Sequence, residues 1–162
     1  MTRGIKRDGA ITRLCLAVAA WPARDRALWD QASRPLDDPF EERGARAHLR
    51  AITNRGVAKS YGRWLHWLAA SGEFDEAEAP GARITKERVR RYIAALKAEG
   101  NHPSTIALRL EQLRSAALVM DPSSPWDWLK RPAARRRASG APKCDKRSRL
   151  ATSAELRDLG PR

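Results

Sequence analysis

The chain has 162 residues, of which 42% are hydrophobic and 31% are charged, and its formal net charge at pH 7 is +13. This length allows one domain with a hydrophobic core, or a small domain with extensions, but not two full domains. The composition excludes a wholly disordered chain. No apolar run approaches the roughly 20 residues of a membrane span, so we expect a cytoplasmic protein without a membrane partner.

The N-terminal part of the chain predicts two short helices that pack against the side of a main domain. The first covers about residues 11–20 and the second about 23–33, where Pro22 suits the first turn. An acidic loop with two prolines, residues 34–43, follows. We therefore place an N-terminal helical extension at residues 1–50.

The longest regular segment, residues 53–71, carries an apolar and a basic stripe with the same helical period. The apolar stripe, which we expect to be buried, is formed by Val57, Tyr61, Trp64, Leu65 and Leu68. The opposite face carries Arg55, Lys59, Arg63 and His66. Thr53 is the expected N-cap, and Gly72 is the expected left-handed residue at the C-terminal end.

A second core helix is predicted to begin after Thr85, a candidate N-cap, and to end at Gly100. Its apolar stripe consists of Val89, Tyr92, Ile93 and Leu96, and its other faces carry Lys86, Arg90, Arg91 and Lys97. The face with Arg91 also carries Ala94, Ala95 and Ala98. Such small residues let a helix backbone approach a large surface, although alanine is also the best helix former.

The third core helix begins at Pro103 or Ser104, and its stripe consists of Ile106, Leu110, Leu113, Ala117 and Met120. Leu108 and Leu118 lie off that stripe, so we expect the helix to be apolar on more than one side and the most buried of the bundle.

A fourth core helix is predicted after the cap signals Ser123, Ser124 and Pro125, and Pro132 is expected to kink or end it. We expect Trp64, Trp126 and Trp128 to fill the core, and Trp67 to contact the N-terminal helices. The segment from Lys130 to Arg149 has nine basic residues and one acid, which predicts an exposed, extended linker from Ala133 to Ser148.

The cysteines and histidines indicate no cofactor site. Cys15 and Cys144 are expected to be free thiols, because no CxxC motif or Cys/His cluster accompanies them. His48, His66 and His102 lie far apart in the sequence. We therefore predict neither a bound metal nor a cofactor.

The clustering of positive charge predicts a polyanionic partner, DNA or RNA, ahead of a membrane. No amphipathic segment carries the bulky apolar face that inserts into lipid. Non-specific affinity would come from phosphate neutralisation and would fall steeply with salt.

The order of the helix patterns resembles the core-binding domain, a small SAM-like helical bundle, of the tyrosine recombinases or phage-type integrases. The matching pieces, within about residues 51–160, are YGRWLHWLAASG, ITKERVRRYIAAL, PSTIALRLEQLRSA, SSPWDWLK and KRSRL leading to SAEL. The resemblance implies an all-α fold with four core helices at residues 51–131, a basic linker at 132–150 and the start of a catalytic domain at 151–162.

The resemblance also implies a function. The chain is expected to clamp one side of double-stranded DNA during DNA recombination or DNA integration of a mobile element, as a nucleoid-associated bacterial protein. Other recombinase protomers are expected as further partners, and no small-molecule substrate is expected.

The expected DNA contacts are basic residues of the helix faces and the linker. Lys86, Arg90 and Arg91 are in addition candidates for base contacts in the major groove, because their helix resembles the groove-facing helix of the family. The full set is Arg55, Lys59, Arg63, Lys86, Arg90, Arg91, Lys97, Lys130, Arg131, Arg135, Arg136, Arg137, Lys143, Lys146, Arg147 and Arg149.

The sequence offers neither a tyrosine suited to be the nucleophile of this family nor a His-x-x-Arg motif. The family uses an arginine pair, a lysine, a His/Lys-x-x-Arg motif and a tyrosine nucleophile, whereas Tyr61 and Tyr92 fall on predicted buried stripes and no His-x-x-Arg occurs. We therefore expect a non-catalytic chain. Two alternatives stay open, namely a helical protein-interaction module, such as a truncated regulator of an intact recombinase, and an enzyme whose catalytic half lies outside this sequence.

Overall fold

The structure, a computed structural model, describes residues 14–34 and 44–140, and all regular structure in these ranges is helical. The α-helices are α1 (Ala23–Ser33), α2 (Ala51–Ala70), α3 (Lys86–Ala98), α4 (Pro103–Met120) and α5 (Lys130–Ala138). Short 3₁₀ turns at Val18–Ala20 and Trp126–Leu129 precede α1 and α5. The predicted all-α helical bundle is confirmed.

Helix α4 lies at the centre of the bundle and packs against α1, α2, α3 and α5. Its predicted stripe is buried, as are the predicted stripes of α2 and α3. One hydrophobic core includes these residues together with Trp21 and Trp29 from the N-terminal part. Leu108 and Leu118 lie off the stripe of α4, as predicted, and are 50% and 40% exposed, so they do not belong to the buried face of the central helix.

Local signals set both ends of α3 and the C-terminal end of α2. The Thr85 hydroxyl accepts a hydrogen bond from the backbone N–H of Arg88 at 3.2 Å, which confirms the predicted N-cap. Gly72 and Gly100 have φ angles of 71° and 73°, the left-handed conformation that ends α2 and α3. Thr53 is not a cap.

Helix α2 begins two residues before Thr53, with Arg50 as its N-cap. The Nε of Arg46 donates to Asn54 Oδ1 at 3.0 Å, and Asn54 Nδ2 donates to the Arg46 carbonyl at 3.3 Å. These bonds hold the first turn against the preceding segment, so the helix starts earlier than the cap signal indicated.

The helix predicted at residues 11–20 is wrong for its described part, where only Val18–Ala20 forms a 3₁₀ turn. The backbone N–H of Leu16 donates to the Gly62 carbonyl at 3.0 Å, and the indole N–H of Trp21 donates to the Leu16 carbonyl at 3.2 Å. A Cβ atom added at Gly62 would lie 2.1 Å from the carbonyl oxygen of Leu16. The segment therefore lies against α2, on a path that only glycine permits.

The end of the bundle also differs from the prediction. Pro132 does not end a helix but lies in the first turn of α5, where its missing N–H is not needed. The extended linker expected from Ala133 onwards is wrong as far as Ala138, because these residues are helical and Ala133 is 1% exposed. The rest of the expected linker lies outside the described residues.

The expected N-caps of the fourth helix, Ser123 and Ser124, do not cap a helix. Their hydroxyl groups donate hydrogen bonds to the Asp121 carboxylate.

The tryptophans divide between the core and its edges. Trp64 and Trp126 are buried in the core, as predicted. The ring of Trp67 stacks on that of Trp64, with 5.2 Å between centroids, and its centroid lies 5.3 Å from that of Tyr92 on α3. Trp21 makes the contact between the N-terminal part and α2, with its ring centroid 4.9 Å from that of Tyr61.

Candidate nucleic-acid interface

Helices α3 and α5 border a groove of about 550 Å³. Lys86, Arg90 and Lys97 line it from α3, at the spacing i, i+4 and i+11 that places side chains on one helix face. Helix α5 contributes Arg131, Arg135 and Arg136. Six of the predicted DNA contacts therefore meet in one groove, and none of the described residues that line it is acidic.

The floor of the groove is apolar. By its floor we mean the apolar residues of its lining, which are Val89, Ile93, Ala94, Trp128 and Pro132. Trp128 is half-buried against the core, so the prediction that it fills the core as Trp126 does is wrong. Trp126 and Trp128 are two positions apart in a 3₁₀ turn, about 240° around its axis, and only Trp126 is buried.

Helix α5 is fixed to the rest of the bundle by packing and by ion pairs. Leu129 and Ala133 are 0% and 1% exposed, and both belong to the core. The guanidinium of Arg137 lies 2.7 Å from a carboxylate oxygen of Glu111 on α4. The three arginines of α5 that line the groove are thus carried on a packed helix rather than on an extended linker.

Asp127 adds a second connection between α4 and the start of α5. Its carboxylate lies 3.0 Å from Lys130 Nζ and 2.7 Å from Arg114 Nη2. Hydrogen bonds from Lys130 and Arg114 hold the pKa of this carboxyl below its usual range. Lys130 therefore pairs with Asp127 at the exposed surface of the bundle and does not line the groove.

The cations of the groove have few competing partners. Arg90 is 3.4 Å from Glu87 on the same helix, but both side chains are largely exposed, and such pairs contribute only about 0.2–1 kcal/mol. The other five make no ion pair with any residue that the structure describes. A phosphate group would therefore displace little when it binds here.

The remaining described contacts of the predicted set lie elsewhere. Arg63 is 3.6 Å from Glu99, and Arg91 pairs with Glu73. Arg55 and Lys59 are exposed on α2 and do not line the groove. Lys130 and Arg137 face their acidic partners as described above. Lys143, Lys146, Arg147 and Arg149 lie outside the described residues.

Sequence reasoning missed the floor of the groove. Trp128 and Pro132 belong to it, although neither was among the predicted DNA contacts and the core was preferred over base stacking for Trp128. For Trp128 a signal was present, because two residues separated by two positions on a helix cannot both face the same core. For Pro132 no signal was available, since its position depends on how α5 packs against α3.

The two tyrosines are buried, as predicted from their stripes. Tyr61 is 0% and Tyr92 2% exposed. Burial raises the pKa of Tyr92 to about 12, and burial together with the adjacent Asp25 carboxylate raises the pKa of Tyr61 well above its ordinary value. Both phenols therefore keep their protons at neutral pH, away from solvent.

Other features of the described ranges do not concentrate charge or ligands in this way. A second hollow of about 510 Å³ is bordered by Arg24 and Asp121, which have opposite charges. Cys15 is a free thiol, and no described group of three or more His, Cys, Asp or Glu residues could hold a metal ion. None of the described helices has both the length and the apolar character that crossing a membrane requires.

A comparison with protein-family models, curated proteins and solved structures finds no match for the chain. The ligand of the groove must therefore be inferred from the chemistry of the groove itself, which combines six cations with an apolar floor.

Proposed function

We propose that the chain binds DNA through the groove between α3 and α5. The observation that carries this proposal is the convergence of six cations from two helices on a groove whose described lining includes no carboxylate. The row from Lys86 to Lys97 is about 16 Å long at 1.5 Å per residue. This length corresponds to roughly five steps of 3.4 Å along a DNA strand, so several phosphates would be neutralised together.

The biological setting that we propose is site-specific DNA recombination or integration, with the chain as the DNA-binding half of a recombinase and with other recombinase protomers as partners. The order of the helix patterns supports this setting, because it resembles that of the core-binding domains named above. The small all-α bundle agrees with the same family. We propose a nucleoid-associated location on the same basis.

The second candidate function is that of a helical protein-interaction module. The apolar floor favours it, because an acidic peptide could place apolar side chains on Trp128 and Pro132. The density of positive charge favours DNA, because a polyanion with regularly spaced charges is complementary to two facing rows of cations.

The test is fluorescence-anisotropy binding to a labelled duplex across a salt series. The groove variant replaces Arg131, Arg135 and Arg136 with Gln. The control variant replaces Arg24, Arg34 and Arg50 with Gln, which removes the same number of charges from exposed positions outside the groove. We expect the groove variant to bind at least about 10-fold more weakly at low salt, with a slope of log K against log salt that is shallower by roughly 2–3.

In the control variant, the affinity for duplex at low salt and the slope of log K against log salt should change much less than in the groove variant. Equal losses in the two variants would show that net charge alone governs binding and would contradict a localised site. If the unmodified chain does not bind duplex even at low salt, DNA binding is refuted and the protein-interaction module takes its place.

A further inference from the structure

The floor of the groove is more apolar than contact with a phosphate backbone requires. Backbone contacts are made by cations, polar side chains and peptide N–H groups. Beside its cations, however, the groove also presents Trp128 together with Val89, Ile93, Ala94 and Pro132. A ligand that uses the whole lining must therefore have an apolar part next to anionic parts.

Trp128 is held in place by the turn that carries it. The flanking Trp126 and Leu129 are 5% and 0% exposed, and the Trp126 indole N–H donates to the Asp121 carbonyl at 2.6 Å. The ring centroids of the two tryptophans are 6.4 Å apart. A half-buried aromatic ring on such an anchored turn loses little conformational freedom when a planar group stacks on it.

The concave shape and the apolar floor together favour unpaired over paired DNA. The major groove of a duplex admits a projecting protein helix, but here the recess is in the protein, so part of the DNA must project into it. In an intact duplex the bases are stacked on one another inside the phosphates. An unpaired base can leave that stack, and aromatic platforms inside a basic channel are how proteins hold single strands.

We infer that the groove between α3 and α5 takes an unpaired or single-stranded stretch of DNA, with one base stacked on Trp128 and the flanking phosphates on the cations of the two helices. The volume of about 550 Å³ lies in the range of small-ligand sites, roughly 300–1,000 Å³, and suits a base with its sugar. This inference rests on the proposed function, because it names the form of DNA that the groove selects.

The experiment compares three fluorescein-labelled DNA probes at one salt concentration, namely a perfect duplex, the same duplex with one unpaired thymine at its centre, and a single-stranded oligothymidylate. A poly-glutamate peptide of similar charge is the fourth probe. The variants are Trp128→Leu, which keeps the floor apolar, and Trp128→Phe, which keeps it aromatic. Neither variant changes the charge of the groove.

We expect the unmodified chain to bind the bulged duplex and the single strand at least about 10-fold more tightly than the perfect duplex. Trp128→Leu should lose roughly 5- to 150-fold in affinity for these two probes, the range for one stacked base, and Trp128→Phe should retain most of it. Affinity for the perfect duplex should stay the same in both variants.

Equal affinity for paired and unpaired DNA, or equal losses for all probes in Trp128→Leu, would overturn this inference while salt-sensitive duplex binding would still support the proposed function. Binding of poly-glutamate in preference to every DNA probe would overturn both. If Trp128→Leu does not unfold cooperatively, and so is not folded, the comparison uses only the unmodified chain and Trp128→Phe. A preference for unpaired DNA in both of these proteins would support stacking. The absence of that preference would refute stacking.

Discussion

Arg83 and Asp25 form a buried ion pair with 2.7 Å between Nη1 and Oδ2, and their side chains are 1% and 0% exposed. The hydroxyl of Tyr61 donates to the same carboxylate oxygen at 2.8 Å. The other N–H groups of Arg83 donate to the carbonyls of Asp75 and Glu76, both at 3.0 Å. This cluster connects α1, α2 and the segment before α3, which positions α3 as one border of the groove.

We predict that Asp25→Ala lowers the free energy of unfolding by about 3–5 kcal/mol, because it leaves the Arg83 guanidinium buried without its counter-charge. Urea unfolding followed by circular dichroism measures the change. Asp30→Ala, at an exposed position on the same helix, is the control and should stay within about 0.5 kcal/mol. Similar values for the two variants would contradict a structural role of the buried pair.

The two tyrosines should respond differently to loss of the hydroxyl. Tyr61→Phe removes a hydrogen bond to a buried carboxylate and should cost about 1.5–3 kcal/mol of unfolding free energy. The Tyr92 hydroxyl is buried and has no hydrogen-bond partner among the described residues, so Tyr92→Phe should be neutral or stabilising. Each variant serves as the control for the other in the same unfolding assay, and equal costs would refute the prediction.

Alkaline pH should destabilise the protein through Tyr92. Burial raises its pKa to about 12 in the folded state, against about 10 in an unfolded chain. The unfolded state releases this proton first, so the stabilisation is complete below pH 10 and is lost as the pH rises towards 12. The free energy of unfolding should fall between about pH 8 and pH 11 in both proteins. In Tyr92→Phe this decrease should be smaller than in the unmodified chain, by an amount on the order of 1 kcal/mol. Identical pH profiles would contradict this assignment.

The attachment of α5 can be tested at two adjacent alanines. Ala133 is 1% exposed, so Ala133→Leu should overpack the contact and cost about 1–3 kcal/mol. Because α5 would shift, affinity for DNA should fall as well. Ala134→Leu, at an exposed position in the same helix, should change neither unfolding nor binding by a measurable amount. An unchanged DNA affinity in a destabilised Ala133→Leu variant would show that the position of α5 does not matter for binding.

The stripes of α2, α3 and α4 were predictable because a helical period is a local property of the sequence. The same holds for the ends at Gly72 and Gly100 and for the cap at Thr85. The path of residues 14–17 was not predictable, because Leu16 bonds to Gly62, far along the chain. Helix α5 was missed for a similar reason, since it has no apolar stripe and is held by Ala133 and by the pair of Arg137 with Glu111.

For the candidate site, sequence reasoning named the cations but not their grouping. Arg90 and Arg91 are neighbours in sequence but about 100° apart around α3, so one lines the groove while the other pairs with Glu73. Which of the two faces α5 depends on helix packing. Trp128 became part of the site for the same reason, and no local pattern reports how two helices approach each other.

The most direct test of the central proposal is a ¹H–¹⁵N NMR titration of the ¹⁵N-labelled chain with a short duplex at low salt. We expect the amide shifts to concentrate on α3 between Lys86 and Lys97 and on α5 between Lys130 and Ala138. Shifts confined to the exposed face of α2 around Arg55 and Lys59, with α3 and α5 unchanged, would contradict the proposal and would place any DNA contact away from the groove.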